Sequence, residues 1–527
     1  MRRCRRLVAI AAASSCILLT SGASYASASS QSGLTVTIAV PGPISGCSAL
    51  QPNPSDASVA LQDLILPSAF VSDPNGQPIG TGGAIATAEL VSDKPHRVLY
   101  SLAPSLAWSN GRQFSASDLI NWWQRGRAST SIFRSGYRDI TSMKVSADGQ
   151  TVLATFARPY APWRDLFRDV RYRSSSNGNC DLSALQREPS LGPYRLVSAT
   201  PTRAVLVSNP NWSVNFNRIG RVILTTSTSL TSIPSNYAAF VTSVNRFRVN
   251  AVAQIPLLRS KFSSNDSIEE IQFAPHRSLV GSSALRRAWS ELINRAFLIT
   301  HLFDNTTLGT SAAQSNLFAA GEPGYPLPIP GQHQGITDCA GCAMKELRHL
   351  GFATGASVMQ RGKPVALTIV SGPSEIDVAT ARLIQGQWRR HGVMSTLAVL
   401  SSDDAASAVV ASNGADAAVV NRSVGNSAYI PAMSFTKDGS QADFGSGAVI
   451  PGLRSLASAA MGVFNPETSY AKWLLVDQAI ATTSLVRPLF SPPVLDVWSA
   501  SVENVRPSFS LEGFVDQVTN WGISTTR

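Results

Sequence analysis

Charge is scarce in this chain, since Asp, Glu, Lys and Arg make up 15% of its 527 residues against about a quarter in an ordinary soluble domain. The Lys and Arg residues are scattered, which excludes the dense basic run of a nucleic-acid binder. Histidine is scarcer still. His96, His276, His301, His333, His349 and His391 stand apart, without a His-Glu-x-x-His pair for zinc, and there is no Gly-x-Ser-x-Gly turn to present a nucleophile. These absences leave no catalytic constellation to expect, and no metal site or cofactor. Gly80-Thr81-Gly82-Gly83 lacks the third glycine of a dinucleotide-binding loop and reads as a flexible turn. Beyond the first residues, no apolar run is long enough to cross a bilayer.

What is present begins with a leader. Arg2, Arg3, Arg5 and Arg6 form a positive start, Leu7 to Leu19 an apolar stretch, and Ala26-Ser27-Ala28 a small-residue cleavage site. That layout describes a secretory signal peptide over residues 1–28 and places the mature chain outside the cytoplasm, in or near the cell envelope. The alternative is a lipid anchor at Cys16, for which Ala13-Ser14-Ser15 is a poor match because it lacks a leucine. Removing the leader lowers the formal charge from +11 to +7, a weakly basic and solvated surface. The length implies two or three lobes, and 44% hydrophobic residues suffice for their cores.

Four cysteines then remain, Cys47, Cys180, Cys339 and Cys342, and an even number outside the cytoplasm favours disulfides. Of the three connectivities, Cys47 with Cys180 and Cys339 with Cys342 is preferred because the second pair is close in sequence. Cys339-Ala-Gly-Cys342 also fits a redox dithiol or half of a zinc site, but neither a second cysteine pair nor a redox-type βαβ unit accompanies it.

The chain is organised around Tyr100 to Arg127. Alternation after Tyr100 predicts a strand, Ser109-Asn110-Gly111 a tight turn, and Ser115 with Asp118 the capped start of a helix carrying Leu119, Ile120, Trp122 and Trp123. Met143 to Phe156 predicts a hairpin, and in Leu191-Gly192-Pro193-Tyr194 the Gly and Pro fix a bend before a strand, with Asn209-Pro210-Asn211-Trp212 supplying an aromatic anchor further on. A strand over Arg221–Leu224 and a helix over Asn236–Val244 follow, with a crossing to the second lobe near Ile271 to Pro275. Leu285 to Arg295 has helical spacing, with Leu285, Ala288, Trp289, Leu292 and Ile293 facing the core and a solvated basic back. Asp338 is expected to cap the next helix through Leu350. Val365 to Leu400 then reads strand, helix, strand, a parallel α/β unit.

This series of segments resembles, in order and over nearly the whole mature chain, the extracellular solute-binding proteins of family 5, which serve oligopeptide, dipeptide and nickel ABC importers. The resemblance implies an α/β, two-lobed type II periplasmic-binding-protein fold of cluster C, with an extra subdomain in lobe one. Its expected extents are residues 29–274 for lobe one, with the subdomain at about 56–184, then 275–482 for lobe two and 483–527 for the return. It implies a non-enzymatic monomer that takes a peptide or small polar solute into an inter-lobe cleft by hinge closure and hands it to a membrane permease and ATPase. A sensor or envelope interaction protein on the same scaffold is the alternative.

One strand departs from the pattern. Where peptide-binding members carry a tryptophan and then an acidic residue that pairs with the ligand's ammonium, Asp416 to Asn426 has Arg422 and Gly425, with neutral Asn426 beside it. Arg422, Asn421, Asn426, Tyr429 and Ser371 are the candidate ligand contacts. A cleft-facing Arg422 would favour anions, since guanidinium matches carboxylate or phosphate. The other reading has Arg422 in solvent or paired with Asp416 or Asp443.

Overall fold

The computed structural model describes residues 33–47, 55–66, 68–72, 78–79, 83–128, 134–173, 180–212, 219–226, 237–241, 255–264, 267–303, 310–320, 325, 338–424, 428–436, 449–506 and 515–524. The expected leader over residues 1–28 with Cys16, Gly80 to Gly82, Gly425, Asn426 and Asp443 lie outside them. Strand β1 (Leu34–Ala39) alternates as its sequence demands, burying Val36 and Ile38. Helix α1 (Asp56–Ile65) follows, capped by the Ser55 hydroxyl on the Ser58 amide.

A four-stranded antiparallel unit comes next, formed by β2 (Ile85–Asp93), β3 (His96–Leu102), β4 (Ile140–Val145) and β5 (Thr151–Phe156) in the order β2-β3-β5-β4. Helix α2 (Ala116–Ala128) packs Leu119, Trp122 and Trp123 into its core, and α3 (Arg134–Asp139) leads into β4. At the start of α2 the buried Asp118 carboxylate accepts from the Ser115 amide at 3.0 Å and pairs with Arg112. The Ser115 hydroxyl meets Ser117 at 2.8 Å, so the cap rests on Asp118 rather than on both residues.

After α4 (Leu182–Arg187), strands β6 (Tyr194–Thr200), β7 (Arg203–Ser208), β8 (Ile219–Thr225), β9 (Tyr237–Val241) and β10 (Leu258–Ser264) join β1. Gly33 and Gly220 lie so close that a Cβ on Gly33 would stand 2.3 Å from the Gly220 Cα. Within the expected helix over Asn236–Val244, Tyr237–Val241 is instead strand β9, parallel to β1, and the rest of that range lies outside the described residues. Sheet pairing decides this. Without β9, the edge of β1 over Thr37–Ala39 would leave its amides and carbonyls unpaired, which outweighs the weak helical preference of a five-residue run.

Strand β11 (Ser267–Phe273) pairs in a second, five-stranded sheet, so the chain changes sheets between Ser264 and Ser267, ahead of Ile271. Helices α5 (Ser283–Glu291) and α6 (Arg295–Phe303) come next. Ala288, Trp289, Leu292 and Ile293 are buried, but the basic back of α5 is divided. Arg287 is exposed and pairs with Glu346, whereas Arg286 is buried and donates to the carbonyls of Thr483, Val280 and Gly281. Backbone carbonyls at a helix end solvate a guanidinium as water would.

Helix α7 (Ala340–His349) is capped by Cys339, whose sulfur accepts from the Cys342 amide at 3.2 Å. Asp338 is not the cap. It accepts from the Arg295 amide and Nε and from Arg487, and so matches two buried guanidiniums. Strand β12 (Ala366–Ser371), helix α8 (Glu375–Arg390), strand β13 (Met394–Val399), helix α9 (Asp403–Ala411) and strand β14 (Ala417–Ser423) complete three parallel strands. With β11 antiparallel to β14 and to β15 (Val486–Phe490), the sheet is mixed, in the order β13-β12-β14-β11-β15.

Between β14 and β15 lie α10 (Tyr429–Met433), α11 (Leu453–Met461) and α12 (Pro466–Thr483). Their Leu453, Ala457, Trp473 and Val476 form one continuous core with Tyr100, Trp163 and Phe167 of the four-stranded unit. Finally β16 (Pro493–Ser499) rejoins the first sheet, whose order is β10-β16-β9-β1-β8-β7-β6. No helix among the described residues is long and apolar enough to cross a membrane.

Cys47 is bonded to Cys180 and Cys339 to Cys342. The first bond spans 133 residues and the second three, and the entropy removed from the unfolded chain grows with loop length. Replacing Cys47 and Cys180 by Ser is therefore expected to cost about 2–4 kcal/mol, and replacing Cys339 and Cys342 less. Urea midpoints of the two double variants under non-reducing conditions check this. A larger loss from the short loop would show that the Cys339–Cys342 bond holds the fold in some other way.

Candidate binding site at the crossover end of the five-stranded sheet

Both connections between the large sheets lie side by side. Ser264 pairs opposite Pro493 at the end of the first sheet, and Glu269 opposite Phe490 at the start of the second. Two short parallel tethers of this kind are what a hinge requires. The candidate residues gather at this end of the second sheet, on both of its faces.

On one face stands Arg422. It lies opposite Ile268 and reaches diagonally to Glu270, two residues along β11. The contact is bidentate, with Nε 3.0 Å from Oε1 and Nη2 2.7 Å from Oε2, and the two side chains are 4% and 0% exposed. Arg422 Nη2 also donates to the Asn316 carbonyl at 3.0 Å. Asn316 in turn donates from its amide and its side chain to Asp477 of α12, whose other oxygen accepts from Ser315 at 2.7 Å. Burial pushes the Asp477 carboxyl up, and these donors together with Arg422 oppose that rise. Arg422 is thus neither in solvent nor paired with Asp416, which belongs to Arg277 and Thr368 at the far end of its strand. Nearby, the buried Tyr429 meets Tyr160 of the four-stranded unit edge-on at 6.2 Å.

On the opposite face Asn421 lies across from Glu269. Ser371 shares that face by register through Val419, and its buried hydroxyl has no partner among the described residues. Two helix starts overhang this end. Asp377 closes a capping box with Ser374 at the start of α8, and Asp403 begins α9 while accepting from the Asn421 amide at 3.3 Å. A side chain on Gly372 would collide with both, its Cβ falling 2.1 Å from Asp403 Oδ1 and 2.5 Å from Asp377 Oδ2.

Asp377, Glu269 and Asp403 stand close enough to act on one another's ionisation, with their carboxyls gathered in a buried cluster. Burial, and then the neighbouring carboxyls, hold Glu269 far above the usual range and push Asp403 up to about 8. Burial likewise raises Asp377. The helix starts favour the charged forms, yet desolvation outweighs them. Among the described residues no group of three or more His, Cys, Asp or Glu side chains, this cluster included, is placed so that it could hold a metal ion.

The structure therefore places Arg422 on one face of the sheet and Asn421 and Ser371 on the other, with Tyr429 off the sheet in the core shared with the four-stranded unit. Glu269, Glu270, Asp377, Asp403 and Asp477 were not among the residues singled out from sequence. The adjacent pair Glu269-Glu270 in the otherwise strand-like Ser-Ile-Glu-Glu-Ile-Gln-Phe was an available signal, because a central strand with both faces covered must bury both carboxyls.

Three comparisons bear on identity. The family model described as bacterial extracellular solute-binding proteins, family 5 (middle), matches residues 80–442. A relative in Mycobacterium tuberculosis, the probable monoacyl phosphatidylinositol tetramannoside-binding protein LpqW, is 22% identical over 69% of this chain and 59% of its own length. The oligopeptide-binding protein OppA of Mycobacterium bovis is 24% identical over 50% of this chain and 48% of its own length. The chain thus matches about half to three-fifths of these curated relatives. Among solved structures the periplasmic EDTA-binding protein EppA superposes with a TM-score of 0.82 at 20% identity, covering 94% of this chain and 97% of that one, a likeness of fold alone. The match of the family model over most of the chain settles its membership: the protein belongs to the bacterial extracellular solute-binding proteins of family 5.

Proposed function

We propose that this chain is the extracytoplasmic receptor of an ABC importer, closing its two lobes over a peptide or small polar solute without chemistry of its own. The observation that carries the reading is the pair of adjacent crossovers, with polar side chains collected at the sheet end beside them. Membership of family 5, and the peptide and EDTA ligands named for OppA and EppA, support it.

The state of Arg422 changes the expected preference. Its charge is already matched by Glu270, whereas the opposite face presents three carboxyl groups around Ser371 and Asn421. Neutral or cationic donor-rich solutes are therefore favoured over anions. LpqW's name, which cites an anionic glycolipid, supports a second reading as an envelope-lipid receptor or sensor.

Native mass spectrometry of freshly purified protein is expected to show a co-purified peptide or polar solute that leaves on denaturation. Added tri- to pentapeptides should then reduce the scattering radius of gyration of the emptied protein. Co-purification of a phosphoinositol glycolipid, or a radius unchanged at saturating peptide, would overturn the peptide reading.

A further inference from the structure

Where the four-stranded unit docks against the α11–α12 arm, one ionisable side chain lies between aromatic rings from the two sides. His96, at the start of β3, is 1% exposed. Its ring centroid is 4.3 Å from that of Phe156 on β5 and 5.2 Å from that of Phe464, between α11 and α12. Neither imidazole nitrogen has a hydrogen-bond partner among the described residues. The same junction holds the edge-on Tyr160–Tyr429 pair and a bond from Arg158 Nη1 to the Ser458 hydroxyl at 3.2 Å.

A neutral imidazole suits such a slot, because it behaves as one more flat ring. An imidazolium does not. It would be a buried cation with two N–H groups and nothing to accept them, a species water stabilises far better. The packed elements carry several other charged groups. On its own hairpin are Asp93 and Lys94, beside β5 the Asp139–Arg158 pair, and on the arm Arg454, Glu467 and Lys472. Asp93 favours the cation, but desolvation exceeds that pull and holds the imidazole down at about 4.

We propose that His96 is an acid-sensitive latch: protonation of its imidazole undocks the four-stranded unit from the α11–α12 arm and so favours the open form of the protein. The docked state takes up fewer protons than the undocked one between pH 6.5 and about 4, so docking is strongest above that window and weakens as pH falls through it. The docking equilibrium should shift on the order of a hundredfold across the window. For solute traffic this means release or exclusion at acidic surfaces, a consequence that rests on the solute-receptor reading.

The test uses the full mature chain without added solute, so that the latch is judged independently of any ligand. Small-angle scattering from pH 7.5 to 4.5 is paired with far-UV circular dichroism. Wild type should expand within the window while its secondary structure is unchanged, His96→Phe should remain compact, and Phe464→Ala should already be expanded at pH 7.5. Should His96→Phe fail to fold, His96→Leu serves in its place. Expansion of the non-titrating variant at the wild-type pH, a flat wild-type curve, or loss of the transition in Asp139→Asn instead would overturn the latch.

Discussion

Replacing Arg422 by Ala is expected to cost about 3–5 kcal/mol of folding stability, the loss typical when one partner of a buried ion pair is removed. The reason lies in what remains behind. Glu270 is fully buried, and without the guanidinium its nearest donor is Gln272 Nε2 at 2.9 Å, a neutral group that cannot offset a buried charge. Removing both charges together should be far milder, because a well-packed apolar pair avoids the desolvation of either ion. Arg422→Met with Glu270→Leu is therefore expected to recover most of the loss. Urea unfolding near pH 7 of the two single variants and the double variant closes the cycle. A near-neutral Arg422→Ala would mean that Glu270 is protonated or solvated in the native protein, and Arg422 would again become a candidate for anion recognition.

A second large effect should appear at the carboxyl cluster, and its sign follows from the direction of the shift. Asp403 binds its proton up to about 8 in the folded chain but only up to 3.8 when unfolded. Between those limits the native state holds more protons, so stability falls as pH rises. His96 pushes in the opposite direction below 6.5, which leaves 6.5 to 8 as the window in which the carboxyls act without it. Over that window wild type should lose roughly 2 kcal/mol relative to Asp403→Asn, at about 1.4 kcal/mol per pH unit for one proton. The variant should be the more stable protein at pH 8, since a side-chain amide can still accept from the Asn421 backbone amide and cannot ionise. Thermal unfolding at a series of pH values decides the matter. Parallel pH profiles for the two proteins would mean that Asp403 is already ionised at neutral pH and that the proton lies elsewhere in the cluster.

Local chemistry made much of the architecture legible. A strand at Tyr100, which runs His96–Leu102 rather than onward from Tyr100, the turn closed by Gly111 and the helix from Ala116 were readable because each is fixed within a few residues by alternation, positive φ and an acidic cap. The Met143–Phe156 hairpin and the strand, helix, strand run after Val365 were readable for the same reason. The misreadings share an opposite cause. Asn236–Val244 carries no decisive local signal, and β9 exists because β1 and β16 each need a neighbour. Asp338 resembles a helix cap in sequence, yet two distant arginines compete for its carboxylate and a charged donor outbids an amide.

Sequence by itself determined the family, the alternation of strands and helices, and where along the chain a polar strand interrupts an apolar lobe. It could not determine what Arg422 does. Its partner lies 152 residues earlier in the chain, on a strand brought alongside only by antiparallel pairing of β11 with β14. The same holds for the clustered carboxyls, drawn from β11 and from the starts of α8 and α9, and for His96, whose slot is completed by Phe464 of the distant arm. A residue's type states which charges and bonds it is able to make. Whether those are solvated, matched or stranded depends on burial and on neighbours from other elements, and only the packed structure supplies both.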